Sequence, residues 1–141
     1  MSEKLSKEAE NILTERFGKD SVIALATTEN GTPYVRYVNG FYDAGAFYVI
    51  THRLSGKMMQ IKNNPEVAIA GEWFTAHGAG IDMGYFEAEE NAEIAKKLRL
   101  AFEEWIDNGH NDFNDKNTII LCIRLTDGTL FSNGKRYDIE F

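Results

Sequence analysis

Four glycine-bearing turn signals punctuate this chain: Asn30-Gly31, Asp43-Ala44-Gly45, Asp127-Gly128 and Asn133-Gly134. Asn-Gly is the strongest two-residue hairpin signal, because both central residues of a type I′ turn need positive φ. Short apolar runs flank these signals, so neighbouring segments are expected to fold back on one another and pair antiparallel. The runs Val22 to Thr28, Tyr34 to about Tyr42 and Ala46 to Thr51 then form a three-stranded meander. Glu66 to Phe74 predicts a further strand, and His77, Gly78, Ala79 and Gly80 read as a permissive turn before a weaker strand, Ile81 to Phe86. Ile119, Leu121, Ile123 and Leu125 alternate with Ile120, Cys122 and Arg124, a period of two that predicts a strand. Thr129 to Ser132 and Lys135 to Glu140 are expected to complete the sheet.

Helices are few. Leu5, Ala9, Ile12, Leu13 and Phe17 recur at helical spacing from Glu3 onward, with Gly18 as a left-handed terminator. Ser55 to Asn63 predicts a short crossover helix stopped by Asn64-Pro65. Ile94, Leu98, Phe102 and Trp105 predict a second long helix, with Leu100 on its opposite face. Six to eight short antiparallel strands with flanking helices and one crossover suit a closed or nearly closed, Greek-key-like barrel better than an open sheet. At 141 residues and 43% hydrophobic content, residues 1–141 are expected to form a single domain.

An excess of 22 acidic over 15 basic residues gives a net charge of −7, which opposes a broad surface for a phosphate backbone and excludes nucleic acid as an expected partner. The lone Cys122 allows neither an internal disulfide nor a zinc pattern, and its alternation predicts a small, buried or half-buried thiol without a nucleophilic role. Met1-Ser2-Glu3-Lys4 leads into a charged amphipathic run, and no later apolar stretch approaches membrane-spanning length. A soluble, unprocessed, cytoplasmic protein without a membrane partner is therefore expected.

Against this acidic background, Ser55, Lys57, Gln60, Ile61, Asn64, Pro65 and Val67 form the pattern S-x-K-x-x-Q-I-x-x-N-P-x-V. Ser55 would cap a helix whose first turn carries Lys57, where free N–H groups already present partial positive charge. A bound phosphate would resolve that conflict, with Arg36 on the preceding hairpin adding a second cation. The same letters also suit a lysine turned into solvent.

The remaining constellations are weaker. His52, His77 and His110 fall in candidate turns without an i, i+4 partner and predict solvated histidines, not a metal site. Asp107, Asp112 and Asp115 lack the glycine and final glutamate of a calcium loop, so the stretch Asn108 to Asn117 reads as a solvated loop. Trp73 and Trp105 read as packing residues, and Gly78, Gly80 and Gly84 lack the spacing of a dinucleotide-binding turn.

The ordered set Ala26-Thr27, Gly31-Thr32-Pro33, Arg36-Tyr37-Val38, Asp43-Ala44-Gly45, Thr51, Ser55-Gly56-Lys57 and Asn64-Pro65-Glu66-Val67 resembles the pyridoxamine 5'-phosphate oxidase-like family, whose fold is the FMN-binding split β-barrel. The resemblance implies that Arg36, Ser55 and Lys57 hold the FMN phosphate, that Thr51 and Gln60 make polar contacts nearby, and that Val38, Asn39 and Ile50 border the isoalloxazine. It also implies a homodimer with one FMN in each of two clefts between subunits. Gly56 stands where the biosynthetic oxidases place an arginine, Ala79 replaces a flavin-facing glutamine, and the C-terminal substrate-binding segment of those oxidases has no counterpart before Phe141. A short, general flavoprotein is therefore expected, acting as a flavin-dependent reductase or oxidase on a small molecule. Oxidation of pyridoxamine phosphate itself is not. The alternatives are a non-catalytic flavin-binding, storage or redox-sensing protein, or a split barrel that uses a deazaflavin or heme.

Overall fold

A computed structural model describes residues 3–141; Met1-Ser2, read above as part of an unprocessed N-terminus, lie outside the described residues. The chain runs β1 (Glu3–Lys4), α1 (Lys7–Phe17), β2 (Ser21–Glu29), β3 (Thr32–Asp43), β4 (Ala46–His52), α2 (Gly56–Asn63), β5 (Glu66–Gly71), β6 (Phe74–Tyr85), a 3-10 turn at Glu89–Asn91, α3 (Ala92–Ala101), β7 (Thr118–Ser132) and β8 (Lys135–Glu140). The strands lie in the order β1-β8-β7-β4-β3-β2-β5-β6, and β6 pairs back onto β7. The sheet thus closes as a six-stranded antiparallel barrel, with β8 and the parallel strand β1 appended along one side of β7.

The turn signals work through backbone conformation where they work at all. Asn30 and Gly31 adopt φ 51° and 82°, Ala44 and Gly45 46° and 86°, Asn133 and Gly134 50° and 76°. Asp127-Gly128, in contrast, lies inside the continuous strand β7. A Cβ on Gly128 would stand 3.0 Å from both the Phe74 ring and the Thr75 carbonyl oxygen, so glycine is there for clearance between strands. The expected turn at His77–Gly80 is likewise absent. Those residues belong to β6, where a Cβ on Gly78 would meet the Arg124 carbonyl oxygen at 2.6 Å, and the chain reverses earlier, at Glu72-Trp73. Trp73 takes φ 53° in that reversal and is 69% exposed, so it packs edge-on against the exposed Phe131 ring, at 6.5 Å, and not in a core.

Two helix ends also differ from expectation. Glu3–Lys4 pair as a strand with Ile139 and Glu140, and α1 begins only after Ser6, whose hydroxyl accepts from the Ala9 N–H. Gly18 ends α1 at φ −76°, outside the left-handed region, and a Cβ there would lie 2.4 Å from the Thr14 carbonyl oxygen. α3 stops at Ala101, so Trp105 lies in the turns beyond it, while Leu100 faces away from the core as its spacing implied.

Burial divides into two cores on opposite faces of β7. Ile119, Leu121, Ile123 and Leu125 point into the barrel with Leu25, Phe47 and Ile69, and α1 contributes Leu13 and Phe17, whose ring meets Phe47 at 5.5 Å. Ile120 points outward into a second cluster with Phe86, Leu98, Phe102 and Ile106. Cys122 shares that outward register and is buried. Fully burying each such side chain stabilises the fold by roughly 1.5–3 kcal/mol, so the second core anchors α3 and the segment from Phe102 to Phe113 after it.

Candidate functional site

The barrel is split between β3 and β4. β3 pairs with β2 from Glu29↔Thr32 to Ser21↔Gly40, but it meets β4 only at Phe41↔Tyr48, Tyr42↔Phe47 and Asp43↔Ala46. β4 then follows β7 as far as His52↔Thr118, leaving the facing edges of β3 and β4 unpaired. The N–H and C=O groups along those edges are open to water or to a polar ligand. A cleft of about 560 Å3 fills it, lined by Val38 and Asn39 on one lip and by Val49, Ile50, Thr51 and His52 on the other. Ser55 and Lys57 of α2 close one part of the wall; Trp105, Asn108, His110 and Asn111 come from the loop after α3.

α2 brings its N-terminus to this cleft. Ser55 has extended backbone and its hydroxyl accepts from the Met58 N–H at 3.4 Å, while the first turn contains no acidic residue to offset the helix dipole. Lys57 Nζ donates to Thr51 Oγ1 at 2.7 Å. Arg36 reaches under the helix, donating to the Leu25 carbonyl at 3.1 Å, Thr27 Oγ1 at 2.8 Å and Gln60 Oε1 at 3.0 Å. Every one of these acceptors is neutral. Among the described residues neither Arg36 nor Lys57 has a carboxylate within ion-pair distance. Burial holds the Lys57 ammonium below its ordinary pKa, and the neighbouring Arg36 charge lowers it further. Burial also lowers Arg36, although a guanidinium stays charged throughout the accessible range. Two adjacent cations without a counter-charge are unfavourable in a partly desolvated site unless an anion joins them.

The structure therefore brings Val38, Asn39, Ile50, Thr51, Ser55 and Lys57 to one cleft, and places Arg36 and Gln60 immediately behind it. Gln60 is buried, and its Oε1 accepts from both Arg36 and the Thr27 hydroxyl. It is thereby placed to orient Arg36.

The opposite wall was not visible in the sequence. The loop read as solvated turns its carboxylates to its own backbone: Asp112 accepts from Asn114 N and Asp115 from Asn117 N, at 2.9 and 2.8 Å. Asn108, His110, Asn111 and Trp105 face the cleft. The loop is fastened by the Tyr85 hydroxyl, which donates to the Phe113 carbonyl, and by the Arg99 guanidinium, 5.0 Å from both the Phe86 and Phe113 rings. The packing expected of Trp105 is present: its ring stacks on Phe102 at 4.7 Å. His52 and His77 belong to strands instead of turns. His52 Nδ1 accepts from the Leu54 N–H at 3.2 Å, so Nε2 carries the proton donated to Asp115 Oδ2 at 2.9 Å. Two hydrogen bonds, from the Asn117 N–H first and His52 second, hold the Asp115 carboxyl below its usual pKa.

A family model described as pyridoxamine 5'-phosphate oxidase matches residues 6–128. The chain belongs to the pyridoxamine 5'-phosphate oxidase family. One relative within reach of sequence comparison is General stress protein 26 of Bacillus subtilis (strain 168), 29% identical over 120 residues that cover 83% of this chain and 84% of that protein. Among solved structures, General Stress Protein 26 of Bacillus anthracis str. Sterne superposes with a TM-score of 0.68 at 18% identity, over 92% of this chain and 98% of that one. A FAD-binding protein from Mesorhizobium loti gives 0.66 at 15% identity, over 88% and 92%. At such identities the two structures establish a shared fold, here the split barrel of the family. Function has to be argued from the cleft itself.

Proposed function

We propose that this family member is an FMN-binding flavoprotein that acts as a flavin-dependent reductase or oxidase on a small molecule. The observation that carries the reading is the Arg36–Lys57 pair, two cations without a carboxylate in a chain of net charge −7, at the split of the barrel. Arg36, Lys57, Ser55 and the free N–H groups of α2 suit a phosphate, with Thr51 and Gln60 orienting the two cations. Val38, Asn39 and Ile50 offer a mixed apolar and polar lip of the kind that suits a flat, polar ring. Bound FMN would supply hydride or electron transfer, and the protein would supply binding, orientation and exclusion of water. No side chain need serve as acid or base for that role.

The same reading includes a homodimer with the cleft at its interface. Val22, Val35 and Tyr37 are 64%, 70% and 80% exposed on the outer face of β2 and β3. Ala24, Ala26, Ala68 and Ala70 continue that face across β2 and β5. An apolar sheet face adjoining the Asn39 lip suits a second copy of the chain. A cytoplasmic setting is part of the proposal: Cys122 is a free thiol, and no helix among the described residues is long and apolar enough to cross a membrane.

The purified protein is expected to be yellow, to release FMN on heating, and to elute at twice the mass of one chain. Bleaching by NAD(P)H identifies a reductase, and a flavin left oxidised by both nucleotides excludes a nicotinamide-dependent one. A colourless protein that fails to bind added FMN, or a chromophore with a heme spectrum, overturns the reading.

Gly56 supplies a separate check. A Cβ at this position meets no atom within 4 Å, and the residue opens α2, so a side chain can start there without a clash. Gly56→Arg is expected to tighten FMN binding about three- to tenfold through one added charge-assisted contact, leaving riboflavin affinity unchanged in fluorescence titration.

A further inference from the structure

Asp20 lies just before β2, outside every motif that marked the cleft, yet its carboxylate joins the two walls. Oδ1 accepts from Asn39 Nδ2 at 2.9 Å and Oδ2 from Trp105 Nε1 at 2.8 Å. The first contact ties it to the β3 lip, the second to the loop after α3. It also decides which end of the Asn39 amide is engaged. A carboxylate only accepts, so it must take the NH2 group, and Asn39 Oδ1 is left without a donor among the described residues on a side chain that lines the cleft.

We propose that Asp20 is a positioning residue: it fixes the Asn39 amide so that its oxygen presents a hydrogen-bond acceptor to an N–H of the flavin ring, and it holds Trp105 as the facing wall. The inference rests on the flavin reading above. It explains why an exposed acidic residue stands at the cleft of a protein that must attract an anion: both carboxylate oxygens are committed to neutral donors, away from the phosphate end at Lys57. It also gives the loop a function in ligand recognition as well as in covering the second core.

Asp20→Asn discriminates because it removes one acceptor while keeping the shape. Trp105 Nε1–H can only donate, so the introduced amide must turn its oxygen to Trp105 and its NH2 to Asn39. The Asn39 amide then inverts and directs a donor at the cleft. FMN affinity is expected to fall about tenfold from one lost and one opposed hydrogen bond, with a shifted absorption band of the bound flavin. The melting temperature of the ligand-free protein should stay within about 2 °C, since both latch contacts survive. In an Asn39→Leu background the same substitution should change FMN affinity less than about twofold, because the group it acts through is gone. An equal loss in both backgrounds, or no loss in the parent, overturns the proposal. Failure of the unsubstituted protein to bind FMN is a different result and sinks the flavin reading itself. Asp20→Ala frees Trp105 as well, and should shift its fluorescence to longer wavelength where Asp20→Asn does not; identical emission from the two variants would contradict the latch.

Discussion

Arg36→Ala together with Lys57→Ala is expected to weaken FMN binding by a factor on the order of 10^3, since each charge-assisted hydrogen bond to a phosphate contributes roughly 1.5–3 kcal/mol. Riboflavin, which has the same ring and no phosphate, should lose no more than about threefold by the same bookkeeping. The contrast follows from the arrangement at the split. Lys57 is held by Thr51 and Arg36 by Leu25, Thr27 and Gln60, all neutral, so both charges are oriented and neither is neutralised. Burial lowers the pKa of Lys57, and a phosphate beside it would raise it again. Titration of quenched flavin fluorescence with the two ligands checks the prediction. Equal losses for FMN and riboflavin would show that the pair supports the fold of the cleft instead of a phosphate.

Phe102→Ala should lower stability by about 3–5 kcal/mol, the cost of emptying a fully buried aromatic site, and melting by about 10–15 °C for a domain of this size. Phe102 is 0% exposed, packs in the second core outside β7 and stacks on Trp105. Its loss removes the floor under the loop that carries Trp105, Asn108, His110 and Asn111. FMN affinity should therefore fall as well, although Phe102 does not line the cleft. Calorimetry of the ligand-free protein with a parallel FMN titration tests both parts. Lost stability with undiminished affinity would separate the loop from the binding site.

Much of the barrel was legible because its signals are local. Asn30-Gly31, Ala44-Gly45 and Asn133-Gly134 turn the chain through positive φ, and Ser55 with Asn64-Pro65 brackets α2. Gly78 and Gly128 misled for a definable reason: a sequence does not distinguish a glycine needed for backbone rotation from one needed to let strands approach. The Arg36 and Lys57 side of the cleft was legible because hairpin and helix lie close together in the chain. The other wall was not. Trp105 is fixed by Asp20 across 85 residues and Asp115 by His52 across 63, and such distant partners leave no mark on local pattern. The acidic and amide-rich composition of that loop reads as solvated, and Asn108 to His110, Asp112, Asn114 and Lys116 are exposed; what the composition does not reveal is the second core that places the loop.

The position of β7 in the ring has a consequence for how the protein is made. β7 is the stave between β4 and β6, and it also carries β8 and, through it, β1. On a ribosome, the meander of β2 to β4 and the pair β5 and β6 emerge first, but nothing joins their free edges until Thr118 and the residues after it leave the exit tunnel. Without β7 the order β4-β3-β2-β5-β6 is an open sheet, with β4 and β6 as its two unpaired edges. Barrel closure therefore depends on β7 alone, which pairs with both of those edges, so any substitution that weakens β7 loosens two seams of the ring at once.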